Sequence, residues 1–295
     1  MTYLLDNIDI YNTYSIRAGH ASESNIAMLG VFDLPARTGK TYHSWGDSEV
    51  IEPYSASGDM SFAGRDIIFS GLILGTNSVI NNNLKTFYAA INAATGLIVF
   101  ETPYHSASGY VKSVIPEMFN GGAKIAITFR EPIVSLTGTL PSAGLSNYTI
   151  DAIPFSSFGL YLSKSEVLHN LPDLKEQFFT KYGSEGYQIV KRKNKTLDIN
   201  GFITGTTLSD FQTKIKALYK LFSSSGTRNI KINDEINADC FATEGFNVRN
   251  IHLYNNLVIA NIMISLIVVY LYYINELANE DDVLITNEES VQILI

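Results

Sequence analysis

The chain has 295 residues, is 46% apolar and 17% charged, and carries a formal charge of -8. That length holds about two domains with cores of their own, and the abundance of Phe and Tyr is that of a globular, β-leaning protein. The acidity excludes the basic stripe that nucleic-acid binding needs, and the lone Cys240 excludes an intrachain disulfide, as suits folding in a reducing compartment. Much of the negative charge is local, since Glu276, Glu280, Asp281, Asp282, Glu288 and Glu289 fall near the C-terminus and no Lys or Arg follows Arg249. Met1–Tyr11 has acids and no basic n-region, so no signal peptide is expected.

Alternating apolar positions (Ile8, Ile10, Tyr14, Ile16) predict an opening strand or hairpin within residues 1–18. Ile26–Phe32 reads as a second strand, Pro35–Tyr42 as a loop, and Trp45-Gly46-Asp47 as a turn. Gly58 and Gly64 bracket a short strand, and Arg65–Leu74 carries the strongest strand pattern of the first half. A helix is predicted from about Ser78 to Ala94, with Leu84, Phe87, Ile91 and Ala94 on one face and Gly96 as its C-terminal stop. Strands at Leu97–Phe100, Tyr110–Ile115 and Lys124–Phe129 follow, the last two joined by a turn at Gly121-Gly122.

Thr137–Tyr148, rich in Gly, Ser, Thr and Pro, reads as a linker between a first module at 1–136 and a second at 149–275. In the second module Thr196–Thr204 is a strand, and Ser209-Asp210 caps a helix that ends near Ser225-Gly226. The apolar face of that helix is Phe211, Ile215, Leu218, Tyr219 and Phe222. Strands are predicted at Asn229–Ile232, Phe246–Leu253 and Val258–Tyr270. Leu257–Ile274 is apolar enough for a marginal membrane span. Its β-branched content, and its charged counterpart Lys124–Glu131, make it instead a strand buried on both faces. Residues 276–295 form an acidic tail with an apolar end, either disordered or docked as a strand on a neighbour's sheet edge.

The order of features in 28–129 recurs in 165–266. Phe32-Asp33-Leu34-Pro35 matches His169-Asn170-Leu171-Pro172, and Trp45-Gly46-Asp47 matches Tyr182-Gly183-Ser184. Ser70-Gly71-Leu72-Ile73-Leu74-Gly75-Thr76 matches Asn200-Gly201-Phe202-Ile203-Thr204-Gly205-Thr206.

Catalytic signatures are missing from the pattern. Arg37-Thr38-Gly39-Lys40-Thr41 ends like a phosphate-binding loop but has Leu34 where that motif needs Gly. The five histidines show no ligand spacing, Ser106-Ala107-Ser108-Gly109 is no nucleophile elbow, and Asp47, Glu49 and Glu52 read as solvated acids after a turn. The run Lys191–Lys195 reads as a solvated hairpin tip, and Cys240 as a small buried hydrophobe. Neither catalytic residues, nor a cofactor, nor a metal is expected. Trp45 and its counterpart Tyr182 are packing anchors or interface hot spots, and Tyr272 and Tyr273 are further candidates for an interface.

The stretch Gly64-Arg65-Asp66-Ile67-Ile68-Phe69-Ser70-Gly71-Leu72-Ile73-Leu74-Gly75, a helix, then Gly96 and an apolar strand resembles the N-terminal module of the distal tail proteins of long-tailed bacteriophages. Phe32–Trp45 is also similar to phage tail components. The resemblance covers the first half and reaches the second through the repeat. It implies the tail-tube fold, a mainly β sandwich or split barrel with flanking helices, here in two tandem copies. It also implies a virion structural protein rather than an enzyme, made in the host cytoplasm and placed in the viral tail as a distal tail, tail-tube or baseplate component. The expected assembly is a homo-oligomeric ring, a trimer in preference to a hexamer. Tube and hub proteins would be its neighbours, DNA would pass through the lumen without specific binding, and no membrane would be involved. A glycan-binding module of the tail tip is the alternative. The chain departs from the family in carrying a second tube-like copy where many members carry a carbohydrate-binding-like domain.

Overall fold

The computed structural model of the protein describes residues 2–44, 51–165, 174–181, 184–192, 194–233, 236–255 and 257–271. It is mainly β with few helices, as the sequence predicts. The first half contains β1 (Leu4–Leu5), β2 (Ile8–Asp9), α1 (Ile10–Tyr14), β3 (Arg17–Ala18), β4 (Met28–Leu29), β5 (Tyr42–Ser44), β6 (Ile51–Pro53), β7 (Arg65–Leu74), α2 (Asn77–Ala93), β8 (Ile98–Glu101), β9 (Ser106–Phe119) and β10 (Gly122–Glu131). The second contains β11 (Tyr148–Ile150), β12 (Ile153–Pro154), a 3-10 turn (Phe155–Phe158), β13 (Leu160–Ser165), β14 (Leu174–Lys181), β15 (Ser184–Arg192), β16 (Thr196–Gly205), α3 (Leu208–Ser223), β17 (Arg228–Ile232), β18 (Ile236–Tyr254) and β19 (Leu257–Leu271).

Two antiparallel sheets repeat one strand order. The first runs β2-β1-β8-β9-β10-β7-β3, with β4 also on β7, and the second runs β12-β11-β17-β18-β19-β16-β13. Each places its helix between equivalent strands, after β7 in the first copy and after β16 in the second. The glycines of the repeated motif occupy equivalent places. Gly71 lies opposite Ala18 of β3, and Gly201 opposite Leu162 of β13. A Cβ at Gly201 would stand 2.2 Å from the Tyr161 carbonyl oxygen, and one at Gly71 2.8 Å from the Ile16 side chain. Both crossings therefore need a residue without a side chain.

The helices differ in how much they bury. α2 hides only Ile80, Leu84 and Phe87. α3 hides Phe211, Ile215, Leu218 and Phe222, and also Ala217, Tyr219 and Leu221. Thr207, rather than Ser209 or Asp210, caps α3: its hydroxyl accepts from the Asp210 amide at 3.0 Å, and the Asp210 carboxylate accepts from the Thr206 amide at 2.8 Å. On α2, Ile80 joins the buried face and Ala94 is exposed. Gly96 is not in the left-handed conformation of a C-cap glycine, and the cap is the extended Ala94.

The opening hairpin is short and leads into α1, with Asp9 as its cap. Ile26–Phe32 forms only the two-residue β4. The stretch between Gly58 and Gly64 forms one bridge, Arg37 to Phe62, rather than a strand. β9 and β18 are longer than predicted, and β18 starts at Ile236 instead of Phe246. β19 is a strand, but it buries one face: Leu257, Met263 and Tyr270 stay exposed while Val258, Ala260, Ile262 and Ile264 are buried. Among the described residues no helix is long and apolar enough to cross a membrane. Lys191 and Arg192 end β15 and Lys195 precedes β16, so the run sits at the base of the β14–β15 hairpin and not at its tip. Apolar residues of both halves form one continuous core.

Candidate functional site at the junction of the two sheets

Polar and charged groups concentrate where the first half meets the second. Residues 24–37 run along β18. Asn25 donates its amide to the Ile251 carbonyl at 3.0 Å, and its side chain accepts from Leu253 N and donates to Leu253 O. Leu34 and Phe246 exchange amide hydrogen bonds of 3.0 and 3.2 Å, and Arg37 N donates to Thr243 O at 2.7 Å. The approach depends on Gly245, whose φ is +71° and whose Cβ would stand 2.1 Å from the Leu34 carbonyl oxygen. Two slips in the β18–β19 register flank the contact, one between Ala242 and Phe246 and one between Arg249 and His252. The bulges bend β18 outward so that the segment seats beside it.

α3 is wedged between its own sheet and the first half. Phe211 packs edge-on against Phe32 at 5.2 Å, Gln212 donates to the Tyr104 carbonyl at 2.5 Å, and Tyr219 stacks on Phe246. Arg65 reaches the same helix. Its Nη1 donates to the Tyr219 hydroxyl at 2.7 Å, and its Nε is 2.6 Å from Glu131 Oε2. His105 Nε2 lies 2.9 Å from Arg65 Nη2 and 3.4 Å from Glu131 Oε1. Burial opposes the Arg65 charge, but Tyr219 and Glu131 more than restore it, so the guanidinium titrates above its ordinary value. Burial likewise opposes the Glu131 charge, yet the bond to His105 and the charge of Arg65 hold its carboxyl below the usual range. Burial pushes the Tyr219 hydroxyl up to about 12.

Asp33 closes the junction. Its carboxylate accepts from Val248 N at 2.8 Å and meets Arg249 Nη1 at 2.7 Å. Burial pushes this carboxyl up, and Val248 and Arg249 pull it back only in part. Asp33→Ala is expected to cost about 1–3 kcal/mol, because a buried amide loses its acceptor. Asp33→Asn keeps a carbonyl oxygen there and is expected to cost less. Urea unfolding midpoints of the two variants check the order.

The arrangement binds one half to the other. Among the described residues no group of His, Cys, Asp and Glu is placed to hold a metal. Cys240 is fully buried, and burial, then Asp239, pushes its thiol up to about 12, which leaves it an unreactive core group. The Gly39-Lys40 stretch runs into β5, a strand where a phosphate-binding loop leads into a helix, and Lys40 rests over the Tyr54 ring at 5.1 Å. The outward face of the second sheet carries a shallow depression lined by Ser163, Asn200, Phe202, Asn247, Arg249 and Asn261.

Trp45, Tyr182, Tyr272 and Tyr273, the interface candidates of the sequence, lie outside the described residues, as do the acidic tail and the Leu171-Pro172 counterpart of Leu34-Pro35. The sequence reading missed Arg65, Glu131 and Asp33. A signal was present for two of them: Arg65 is in phase with Ile67 and Phe69, and Glu131 with Ile127 and Phe129. A charge in core-facing register requires a partner.

No family model matches the chain, and no curated protein matches it. Among solved structures, the SPP1 Dit (gp 19.1) protein, described as a paradigm of hub adsorption apparatus in Gram-positive infecting phages, aligns over 90% of this chain and 97% of its own. The identity is 11% and the TM-score 0.35, a level of similarity that establishes neither kinship nor function.

Proposed function

We propose that the protein is a structural component of a bacteriophage tail, a distal tail or tube subunit that closes into a ring, surrounds the DNA channel and joins tube to baseplate. The observation that carries the reading is the repeated strand order of the two sheets, joined front to back within one chain. A contact between unlike faces of like units is heterologous, and it closes into a ring when its rotation permits. The resemblance of the 64–75 motif to distal tail proteins supplies the phage assignment. A mildly acidic chain also suits a wall past which DNA slides without adhering. Three chains with two copies each would give a near-six-fold ring, so a trimer is favoured over a hexamer. Negative-stain images of the purified protein should show a closed ring around a channel, with three-fold symmetry. Particles without a central channel at every concentration would overturn the reading.

The second reading is a glycan-binding module of the tail tip. The depression on the second sheet favours it, since amides and an arginine beside the exposed Phe202 are groups that bind sugar hydroxyls and faces. Binding on a glycan array that is lost in Phe202→Ala would promote it.

A further inference from the structure

The intrachain junction has a counterpart in the first sheet, whose flank no described strand covers. Val114 of β9 pairs with Ile127, which lies opposite Phe69, two residues before Gly71. Phe246 of β18 pairs with Ile264, which lies opposite Ile199, two residues before Gly201. Val114 and Phe246 thus hold the same place in the two sheets. Beside Val114 the β9–β10 register slips between Thr128 and Phe129, where the β18 register slips beside Phe246. The first sheet thus carries an irregularity at the same place, but a smaller one: β9 has one extra residue, Lys112, where β18 has two, and Ser113 stands in the place of Gly245.

In the second sheet the flank is covered, and Phe246, Val248 and Ile251 are buried. In the first, β9 pairs with β8 only as far as Gly109, which leaves one edge of Tyr110–Phe119 without a described strand. Ile115 is 63% exposed there, with Tyr110, Met118 and Phe119 also open. An uncovered apolar strand edge invites another chain.

The helices repeat the contrast. Tyr219, which takes the Arg65 hydrogen bond, stands where Tyr88 stands on α2, each at the same distance beyond its N-cap residue, Thr207 or Thr76. Gln212 corresponds in the same way to the exposed Asn81. Arg65 precedes Gly71 by the interval at which Lys195 precedes Gly201, so the second copy carries its own cation at the place from which Arg65 reaches α3.

We propose that the open edge of β9 and the outer face of α2 dock a second copy of this chain, which approaches with the Lys195 end of its second sheet as the Arg65 end of the first sheet approaches α3 and β18. Lys195 of that copy would donate to the Tyr88 hydroxyl. The contact is a variant of the intrachain one and not a replica, because Pro116, two residues past Val114, stands where Val248 donates its amide to Asp33, and proline has no N–H to donate. Repetition of the step yields alternating intrachain and interchain junctions around a ring. The proposal rests on the ring reading but fails separately from it.

The test uses the full chain in sedimentation velocity across a concentration series. Ile115→Lys with Met118→Lys should weaken self-association at least about ten-fold with an unchanged far-UV spectrum, while Met263→Lys on the outward face of the second sheet should leave it intact. Should the double variant misfold, amide exchange of the wild type supplies the same answer: protection across Tyr110–Phe119 must rise with concentration. An oligomer indifferent to the β9 charges, or no rise in protection, overturns the docking surface and leaves the ring reading standing. An association that the variant dissolves but that images as an open filament upholds the surface and sinks the ring. A strict monomer defeats both.

Discussion

Leu218→Asp is expected to abolish the folded protein rather than soften it. Leu218 is fully buried at the centre of the α3 face, and α3 is packed on both sides, against its own sheet and against the first half. Removing the aliphatic side chain alone costs about 2–5 kcal/mol at such a site. The carboxylate that replaces it has no partner, and burial of an uncompensated charge adds several kcal/mol more. The total rivals the whole stability of a typical domain, about 5–15 kcal/mol. Because one core runs through both halves, the loss should remove both together in a single cooperative transition. Circular dichroism melting decides it: a variant with an unchanged midpoint would mean that this helix face does not meet the core. Leu218→Ala should still fold, with a midpoint several degrees lower.

The face of α3 was legible because its apolar residues keep helical spacing over the whole element and all of them turn inward. β7 and β16 were legible from their apolar, β-branched and aromatic residues and the glycines at their ends; the inward–outward alternation shows in their burial rather than in their residue types. The failures have physical causes. β18 was cut short because its register slips repeatedly, and each bulge resets the inward–outward alternation on which the reading depends. Its first residues also bury small groups, Ala238 and Cys240, which give a weak apolar signal. Two-residue strands such as β3 and β4 have no period to read; their partner β7 imposes them. β19 was read as buried on both faces because Ile259, Met263 and Ile267 are apolar, yet they lie on the side away from the core. Apolar residue types alone do not say which face of a strand meets the core. The junction was the least legible part. Its members are spread from Asn25 to Leu253, and only the tertiary fold brings Asp33 to Val248 or Arg65 to Tyr219.

Arg65→Met should lower stability by about 3–5 kcal/mol at neutral pH, the range for breaking one side of a buried ion pair. Glu131 is 5% exposed and would keep its charge with only the more distant His105 beside it, and the Tyr219 hydroxyl would lose its donor. Replacing both partners, Arg65→Met with Glu131→Leu, should recover most of the loss, because two apolar side chains leave no charge to solvate. The pH dependence gives the sharper check. In the wild type the Glu131 carboxyl titrates below its ordinary value of 4.5, so its contribution is complete above that value and is lost only as pH falls through the lower folded-state value. Without Arg65, only His105 still opposes burial, and the same carboxyl is expected to move upward. The variant then carries a penalty at neutral pH that is relieved as the carboxyl takes up a proton on acidification. The stability difference between wild type and Arg65→Met should therefore shrink as urea midpoints are measured from about pH 7 down to about pH 5. A difference that stays constant across that range would mean that Glu131 does not depend on Arg65 for its charge, and that packing alone holds the two halves together at this point.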